Sequence, residues 1–100
     1  MPTGLFPDRT ALNSLCRQHH IRRLSLFGSV LKGAEGPDSD VDLLVEFEDG
    51  LKPGFLALNG IESELSALLG GRRVDLRTRE DLSRYFREEV ERTAEIQYAA

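Results

Sequence analysis

Three aspartates stand where two β-strands would bring their carboxylates together. Asp40 and Asp42 are two residues apart in an alternating segment, so both side chains point to the same side of a strand. Like charges this close repel each other unless a cation lies between them, and Mg²⁺ prefers carboxylate oxygens. Asp75 occupies the polar face of a second alternating segment. If the two strands are neighbours, the three carboxylates converge on a catalytic site for two Mg²⁺ ions and an in-line phosphoryl displacement.

A phosphate-binding turn is predicted upstream of these aspartates. Gly28 and Ser29 follow an aliphatic strand, where the start of a helical turn would leave free backbone N–H groups for a phosphate. The glycine lets the phosphate come close, and the Ser29 hydroxyl adds a donor. Lys32 follows one turn later and could meet a phosphate oxygen as a point charge. The sequence therefore predicts nucleotide binding by Gly28, Ser29 and Lys32.

Each of these features alone has an ordinary explanation. An Asp-x-Asp segment is usually a solvated strand face, and a Gly-Ser pair after a strand is most often a plain turn. Asp75 lies between Arg73 and Arg77 and could belong to a surface ion cluster of small energetic value. The combination of the three features, in this order along the chain, favours phosphoryl-transfer chemistry.

The elements that must position these residues are predicted in the order helix, strand, strand, helix, strand, helix. Asp8 can cap the first helix, and Thr78 with Asp81 resembles the start of the last one. The middle helix has an apolar stripe, and the last helix has a less regular apolar edge with Ile96 as a candidate member. These two sets are Leu58, Ile61, Leu65, Leu68 and Leu69, then Leu82, Phe86, Val90 and Ile96.

This order predicts an α/β (α+β) two-layer sandwich, because the apolar faces of the strands need helices over them. The sheet would be small and mixed, with three strands or slightly more and with the helices on one face. The other face carries the aspartates, and we expect it to be partly wet or covered by charged groups. The whole chain, residues 1–100, is predicted to be one domain.

Composition limits the classes of function. With 40% apolar and 30% charged residues, the chain is typical of a soluble globular protein, and its net charge of −4 argues against non-specific nucleic-acid binding. No apolar run approaches the roughly 20 residues that span a bilayer, and residues 1–6 do not resemble a signal peptide. Cys16 cannot form an internal disulfide and is predicted to be a small core residue, which fits a reducing cytoplasm.

The motifs resemble those of a known family. The run Leu26-Phe27-Gly28-Ser29, followed after ten residues by Asp40-Val41-Asp42, resembles the signature of the DNA polymerase beta-like nucleotidyltransferases. More narrowly, LFGSVLKGAEGPDSDVDLLVEFEDG followed by GRRVDLRT is similar to the MNT-type minimal nucleotidyltransferases, over about residues 20 to 98. The resemblance implies the nucleotidyltransferase fold, triphosphate binding at Gly28 and Ser29, and Mg²⁺ ligation by Asp40, Asp42 and Asp75.

The resemblance also implies a partner. Members of this family commonly act as antitoxins beside a HEPN-domain ribonuclease toxin, and the resemblance implies transfer of AMP from ATP to a tyrosine of that toxin or, as in other members, binding to it alone. One departure concerns Lys32, because the family usually has arginine in that slot and lysine lacks the bidentate fork. No base-reading residue is evident, so the choice of ATP over other triphosphates comes from the resemblance alone.

Two other functions remain open at this point. A binding antitoxin would neutralise its partner by contact alone, which the small size and Lys32 would allow. A purely structural subunit would use its aspartates only to keep one sheet face soluble. The presence of all three carboxylates at matching positions favours the enzyme.

Overall fold

The computed structural model of the chain describes residues 5–28 and 40–100. Its elements are α1 (Arg9–Gln18), β1 (Ile21–Phe27), β2 (Val41–Phe47), α2 (Phe55–Leu68), β3 (Val74–Thr78), a 3₁₀ turn (Arg79–Asp81), α3 (Arg84–Thr93) and β4 (Glu95–Ala99). The strands form one mixed sheet in the order β3-β2-β1-β4. Strand β1 is antiparallel to β2 and to β4, whereas β2 and β3 run parallel. The predicted fold class is therefore confirmed, with four strands.

Side-chain caps set the starts of two helices. The Asp8 carboxylate accepts a hydrogen bond from the Ala11 N–H at 3.0 Å, as predicted for the start of α1. Thr78 and Asp81 form a capping box, but it begins the short 3₁₀ turn rather than α3. Helix α3 begins after Ser83, whose hydroxyl accepts from the Phe86 N–H at 3.2 Å.

One face of the sheet packs against α1 and α2, and we call it the core face. Alternate strand residues, among them Leu24 and Leu43, are fully buried there against α2 residues such as Ile61 and Leu65. Cys16 on α1 belongs to the same cluster, and burial raises the pKa of its thiol to about 12. The predicted apolar stripe of the middle helix and the predicted core role of Cys16 are both confirmed.

The opposite face carries Asp42 and Asp75, and we call it the site face. A smaller apolar cluster covers part of it: Phe27 and Leu44 from the sheet pack with Leu82 and with Val90 of α3. Helix α3 therefore lies over the site face, which differs from the expectation of helices on one face only. The reason is that Phe27 and Leu44 would expose apolar area on this side of the sheet without α3, and burying that area is favourable.

The prediction that Ile96 extends the last helix is wrong. Helix α3 ends at Thr93, Ala94 is extended at ψ 144°, and Ile96 lies in β4 opposite Ser25 of β1. Strand β1 has backbone groups on both edges, and β4 satisfies the set that β2 leaves unpaired. Among the described residues, no helix is long and apolar enough to cross a membrane.

Candidate active site

The two strands that carry the aspartates are direct neighbours in the sheet. Asp42 of β2 and Asp75 of β3 are opposite each other in the parallel register, so their side chains emerge on the same face. Asp40 immediately precedes β2 and is exposed. The pairing begins beside it, where the Val41 N–H donates to the Arg73 carbonyl at 2.8 Å. The predicted neighbourhood of these two strands is confirmed.

Asp42 sits at the centre of the negative charge. Partial burial raises the pKa of its carboxyl, the charge of Asp75 raises that pKa further, and Asp40 adds a smaller effect in the same direction. The positive charge of Arg77 opposes this rise only in part. The ionised Asp42 therefore has an electrostatic environment that an added cation would improve.

Arg77 holds the third carboxylate. Its guanidinium donates two hydrogen bonds to Asp75, from Nε to Oδ1 at 3.2 Å and from Nη2 to Oδ2 at 3.1 Å. This fork-to-fork contact raises the pKa of Arg77. The sequence marked Arg77 only as a possible surface ion pair, and its spacing of two residues from Asp75 on one strand was the signal for this contact.

The three aspartates do not form a closed ligand cluster. Within residues 5–28 and 40–100, no group of three His, Cys, Asp or Glu side chains is placed to hold a metal ion. Both oxygens of Asp75 accept a hydrogen bond from Arg77, so a metal ligated by Asp75 would use the remaining lone pairs of the carboxylate or displace that guanidinium. Metal ligation by Asp40, Asp42 and Asp75 stays a prediction.

Gly28 brings the end of β1 directly against Asp42. The residue before it, Phe27, is paired with Asp42 in the antiparallel register. Gly28 has φ +83°, and a Cβ atom there would collide with the Asp42 carboxylate, 3.0 Å from its Cγ and closer still to Oδ2. Glycine is therefore favoured both by the backbone conformation and by the close approach. Ser29 and Lys32 lie outside the described residues, so nucleotide binding by them stays a prediction.

A cavity of about 480 Å³ adjoins the aspartates at the outer edge of β3. Asp40 and Asp75 line it from the sheet, and Ser63 and Ser66 line it from α2. The sequence did not indicate this cavity, because it depends on how α2 packs beside β3 after the intervening turn.

A model of a known protein family matches most of the chain. The family model described as "Nucleotidyltransferase domain" matches residues 8–98. The protein adenylyltransferase MntA from Thermococcus cleftensis is 46% identical over 56 residues, which are 56% of this chain and 54% of that protein. The matched region thus spans about half the length of this curated relative.

Solved structures share the fold. A structure of a candidate minimal nucleotidyltransferase superposes with a TM-score of 0.69 at 42% identity, covering 86% of this chain and 85% of that one. A complex of a tri-AMPylated Shewanella oneidensis HEPN toxin with an MNT antitoxin matches with a TM-score of 0.62 at 20% identity, covering 92% of this chain and 70% of that one. These matches confirm the predicted nucleotidyltransferase fold.

Proposed function

The chain belongs to the nucleotidyltransferase domain family, and from that premise we propose that it is a Mg²⁺-dependent protein adenylyltransferase. It transfers AMP from ATP to a tyrosine hydroxyl of a HEPN-domain ribonuclease toxin, which it neutralises as the antitoxin of the pair. The site works in the cytoplasm, where such a toxin would meet cellular RNA.

The observation that carries the proposal is the meeting of two features at one end of the sheet. Asp42 and Asp75 are paired across β2 and β3, and Gly28 at the end of β1 touches the Asp42 carboxylate. The glycine that would begin a phosphate-binding turn and a pair of carboxylates suited to a metal are therefore adjacent. Phosphoryl transfer needs these two parts side by side, because positioning and charge neutralisation provide most of its catalysis.

The carboxylates fit Mg²⁺ by their chemistry. All three are oxygen donors, and their mutual repulsion at Asp42 is the electrostatic condition that a divalent cation relieves. Asp40, Asp42 and Asp75 would hold the metal, with Asp75 using lone pairs that its hydrogen bonds to Arg77 leave free. When bound, Mg²⁺ neutralises the triphosphate and favours the departure of pyrophosphate.

The chain's own groups position the reactants. Gly28 and Ser29 bind the triphosphate through backbone N–H groups, and Lys32 adds a charge to it. The acceptor oxygen attacks the α-phosphorus, the bond from that phosphorus to the bridging oxygen of the β-phosphate breaks, and pyrophosphate leaves. The Asp75 carboxylate takes the proton of the acceptor hydroxyl.

The partner assignment comes from the relatives. One relative is a protein adenylyltransferase, and a structure of the same fold is an antitoxin bound to an AMPylated HEPN toxin. The MNT-type motifs quoted above point to the same partner class.

Intact-mass spectrometry tests the proposal. The co-encoded HEPN protein is incubated with this chain, ATP and Mg²⁺, and we expect a mass gain of one or more AMP units. Asp42→Asn should reduce the rate at least about 100-fold, the scale of losing one group that stabilises transition-state charge. Asp49→Asn is the matched control, because Asp49 lies on a turn with its side chain fully exposed. Equal transfer by the Asp42→Asn variant would reject this mechanism.

A second function is favoured by one observation. Arg77 occupies both oxygens of Asp75, which is the arrangement of a structural ion pair. A contact-only antitoxin would retain this pair permanently and would neutralise the toxin without nucleotide. Neutralisation by the Asp42→Asn variant, equal to that by the wild type, would support this function; loss of neutralisation with binding retained would reject it.

A further inference from the structure

We propose that the cavity at the outer edge of β3 is the acceptor subsite, and that it receives the phenol side chain of the partner's tyrosine. The inference rests on the proposed function and specifies where its second substrate binds. We call this cavity the β3-edge cavity; Asp40, Glu62, Ser63, Ser66, Arg73 and Asp75 line it, together with Val74.

The order of the strands fixes the side from which the acceptor must come. Gly28 follows β1, Asp42 lies on β2, Asp75 lies on β3, and the β3-edge cavity lies beyond β3. In-line displacement places the attacking and leaving oxygens on opposite sides of the phosphorus. With the triphosphate held at Gly28 and the α-phosphate at the carboxylates, the attacking oxygen must approach from the β3 side. The β3-edge cavity is on that side and contacts Asp75, the proposed proton acceptor.

Its walls are held in place by hydrogen bonds. The Glu62 carboxylate accepts from the outward-pointing Leu76 N–H at 2.9 Å, and the Ser66 hydroxyl donates to the Arg72 carbonyl at 2.5 Å. Glu62 thus accepts the hydrogen bond of an edge-strand N–H group, and an added β-strand would need that group for pairing. The cavity is therefore suited to a side chain, and β-strand addition from a partner is disfavoured at this edge.

The remaining polar groups suit a phenol. Arg73 and Ser63 are exposed, and neither side chain makes a hydrogen bond or ion pair within the described residues. A guanidinium plane stacks favourably on an aromatic ring, and a hydroxyl can bond to a phenol oxygen. A volume of about 480 Å³ falls within the usual range of small-ligand pockets, about 300 to 1,000 Å³. It accommodates one aromatic side chain with part of its flanking backbone.

Steady-state kinetics separate an acceptor subsite from a site for the adenine ring. Ser63→Tyr fills the β3-edge cavity, and Ala57→Tyr makes the same change at an exposed position of α2 outside it. We expect Ser63→Tyr to raise the KM for the HEPN protein about tenfold or more, which corresponds to a loss of about 1.4 kcal/mol or more. The Kd for ATP, measured with Mg²⁺ by calorimetry, should stay within about twofold of wild type, a change of under about 0.5 kcal/mol. A raised Kd for ATP with an unchanged acceptor KM would overturn the proposal in favour of the adenine ring.

Arg73 tests the chemistry of recognition. Arg73→Ala should raise the acceptor KM, and Arg73→Lys should recover little of the loss, because lysine keeps the charge but not the plane that stacks on the ring. Full recovery by Arg73→Lys would show that a point charge suffices, and it would overturn the assignment of ring stacking.

A binding measurement tests the subsite even if no AMP is transferred. The ¹⁵N-labelled chain is titrated with N-acetyl-tyrosinamide in the presence of Mg²⁺ and a non-hydrolysable ATP analogue, with N-acetyl-leucinamide as control. We expect saturable amide shifts confined to Ser63, Ser66 and residues 73–75. Shifts elsewhere, or none, would overturn the subsite. Failure of AMP transfer by the wild type would instead count against the proposed function.

Discussion

The two faces of the sheet differ in composition and in burial although they share the same strands. On the core face, β1 and β2 present residues such as Leu24 and Leu43 to α1 and α2, and these are fully buried. On the site face, the intervening residues include Ser25, Asp42 and Glu46, and only a small apolar cluster covers them. The period of two residues along a strand allows one segment to serve both faces at once.

The comparison teaches how a chain of 100 residues can hold a charged site. Apolar burial on the core face supplies most of the stabilisation, so the site face can carry carboxylates that repel each other. Helix α3 and Leu82 shield one part of the site face, and Asp42 and Asp75 are half-buried beside it. Substitutions on the core face should therefore mainly lower stability, and substitutions on the site face should mainly lower activity.

The largest expected effect is on stability, and it should differ between two adjacent leucines of β2. Leu43 is fully buried on the core face, and Leu44 is buried in the smaller cluster on the site face. We expect Leu43→Ala to lower the free energy of unfolding by about 2 to 5 kcal/mol, and Leu44→Ala to fall at the low end of that range, because its thinner cover can collapse more readily. Urea unfolding measures both. Equal losses would mean that the two faces contribute alike to stability.

A smaller effect is expected at Gly28. Gly28→Ala must adopt φ +83° and also displaces the Asp42 carboxylate, whereas Gly50→Ala has the same φ with nothing within 4 Å of the new Cβ. Both variants should lose about 1 to 2 kcal/mol of stability from the left-handed backbone. Only Gly28→Ala should also lose AMP transfer, by about 100-fold, the scale of a 1 Å misplacement at a reacting centre.

Mass spectrometry of the HEPN protein measures AMP transfer by the Gly28→Ala and Gly50→Ala variants, and thermal unfolding measures their stability. If Gly50→Ala lost transfer as severely as Gly28→Ala, the contact with Asp42 would not be the reason for glycine at position 28.

The smallest effect concerns Asp42 without metal. Burial and the neighbouring carboxylates raise the pKa of Asp42 in the folded chain above its ordinary value of 3.8, so folding disfavours the ionised form. Stability therefore falls as pH rises through the interval between the ordinary and the raised pKa, and the deficit is complete above it. Asp42→Asn should slightly raise the unfolding midpoint temperature of the metal-free chain at pH 7.

The difference between Asp42→Asn and wild type should shrink as the pH is lowered toward 4, which scanning calorimetry in metal-free buffers can follow. Addition of Mg²⁺ with ATP should stabilise the wild type and not the variant. A variant less stable than the wild type at pH 7 without metal would contradict the raised pKa of Asp42 that burial and the neighbouring carboxylates cause.

Much of the fold could be predicted because its signals are periodic. The alternation in β2 and the leucine stripe of α2 each assign one element and its buried face. Strand β4 could not be predicted in this way, because five residues near Ile96 have no strong alternation and their extended form depends on the free edge of β1.

The candidate site also has features that the sequence predicts and features that it does not. The placement of Asp42 beside Asp75 follows from two short patterns and the adjacency of their strands, which the sequence suggested. The two hydrogen bonds from Arg77, the collision that excludes a side chain at Gly28 and the β3-edge cavity depend on distances between separate elements. Such distances are set by packing, and a pattern along the chain does not contain them.

The parallel pairing of β2 with β3 has a consequence for how the protein acquires its activity. Strands β1 and β2 are consecutive along the chain, whereas Asp75 reaches Asp42 only after helix α2 has crossed over between β2 and β3. Long-range parallel pairings close large loops and form late in folding. Recovery of AMP transfer after dilution from urea should therefore lag behind the recovery of secondary structure, and partly folded chains would carry every proposed ligand without being enzymes.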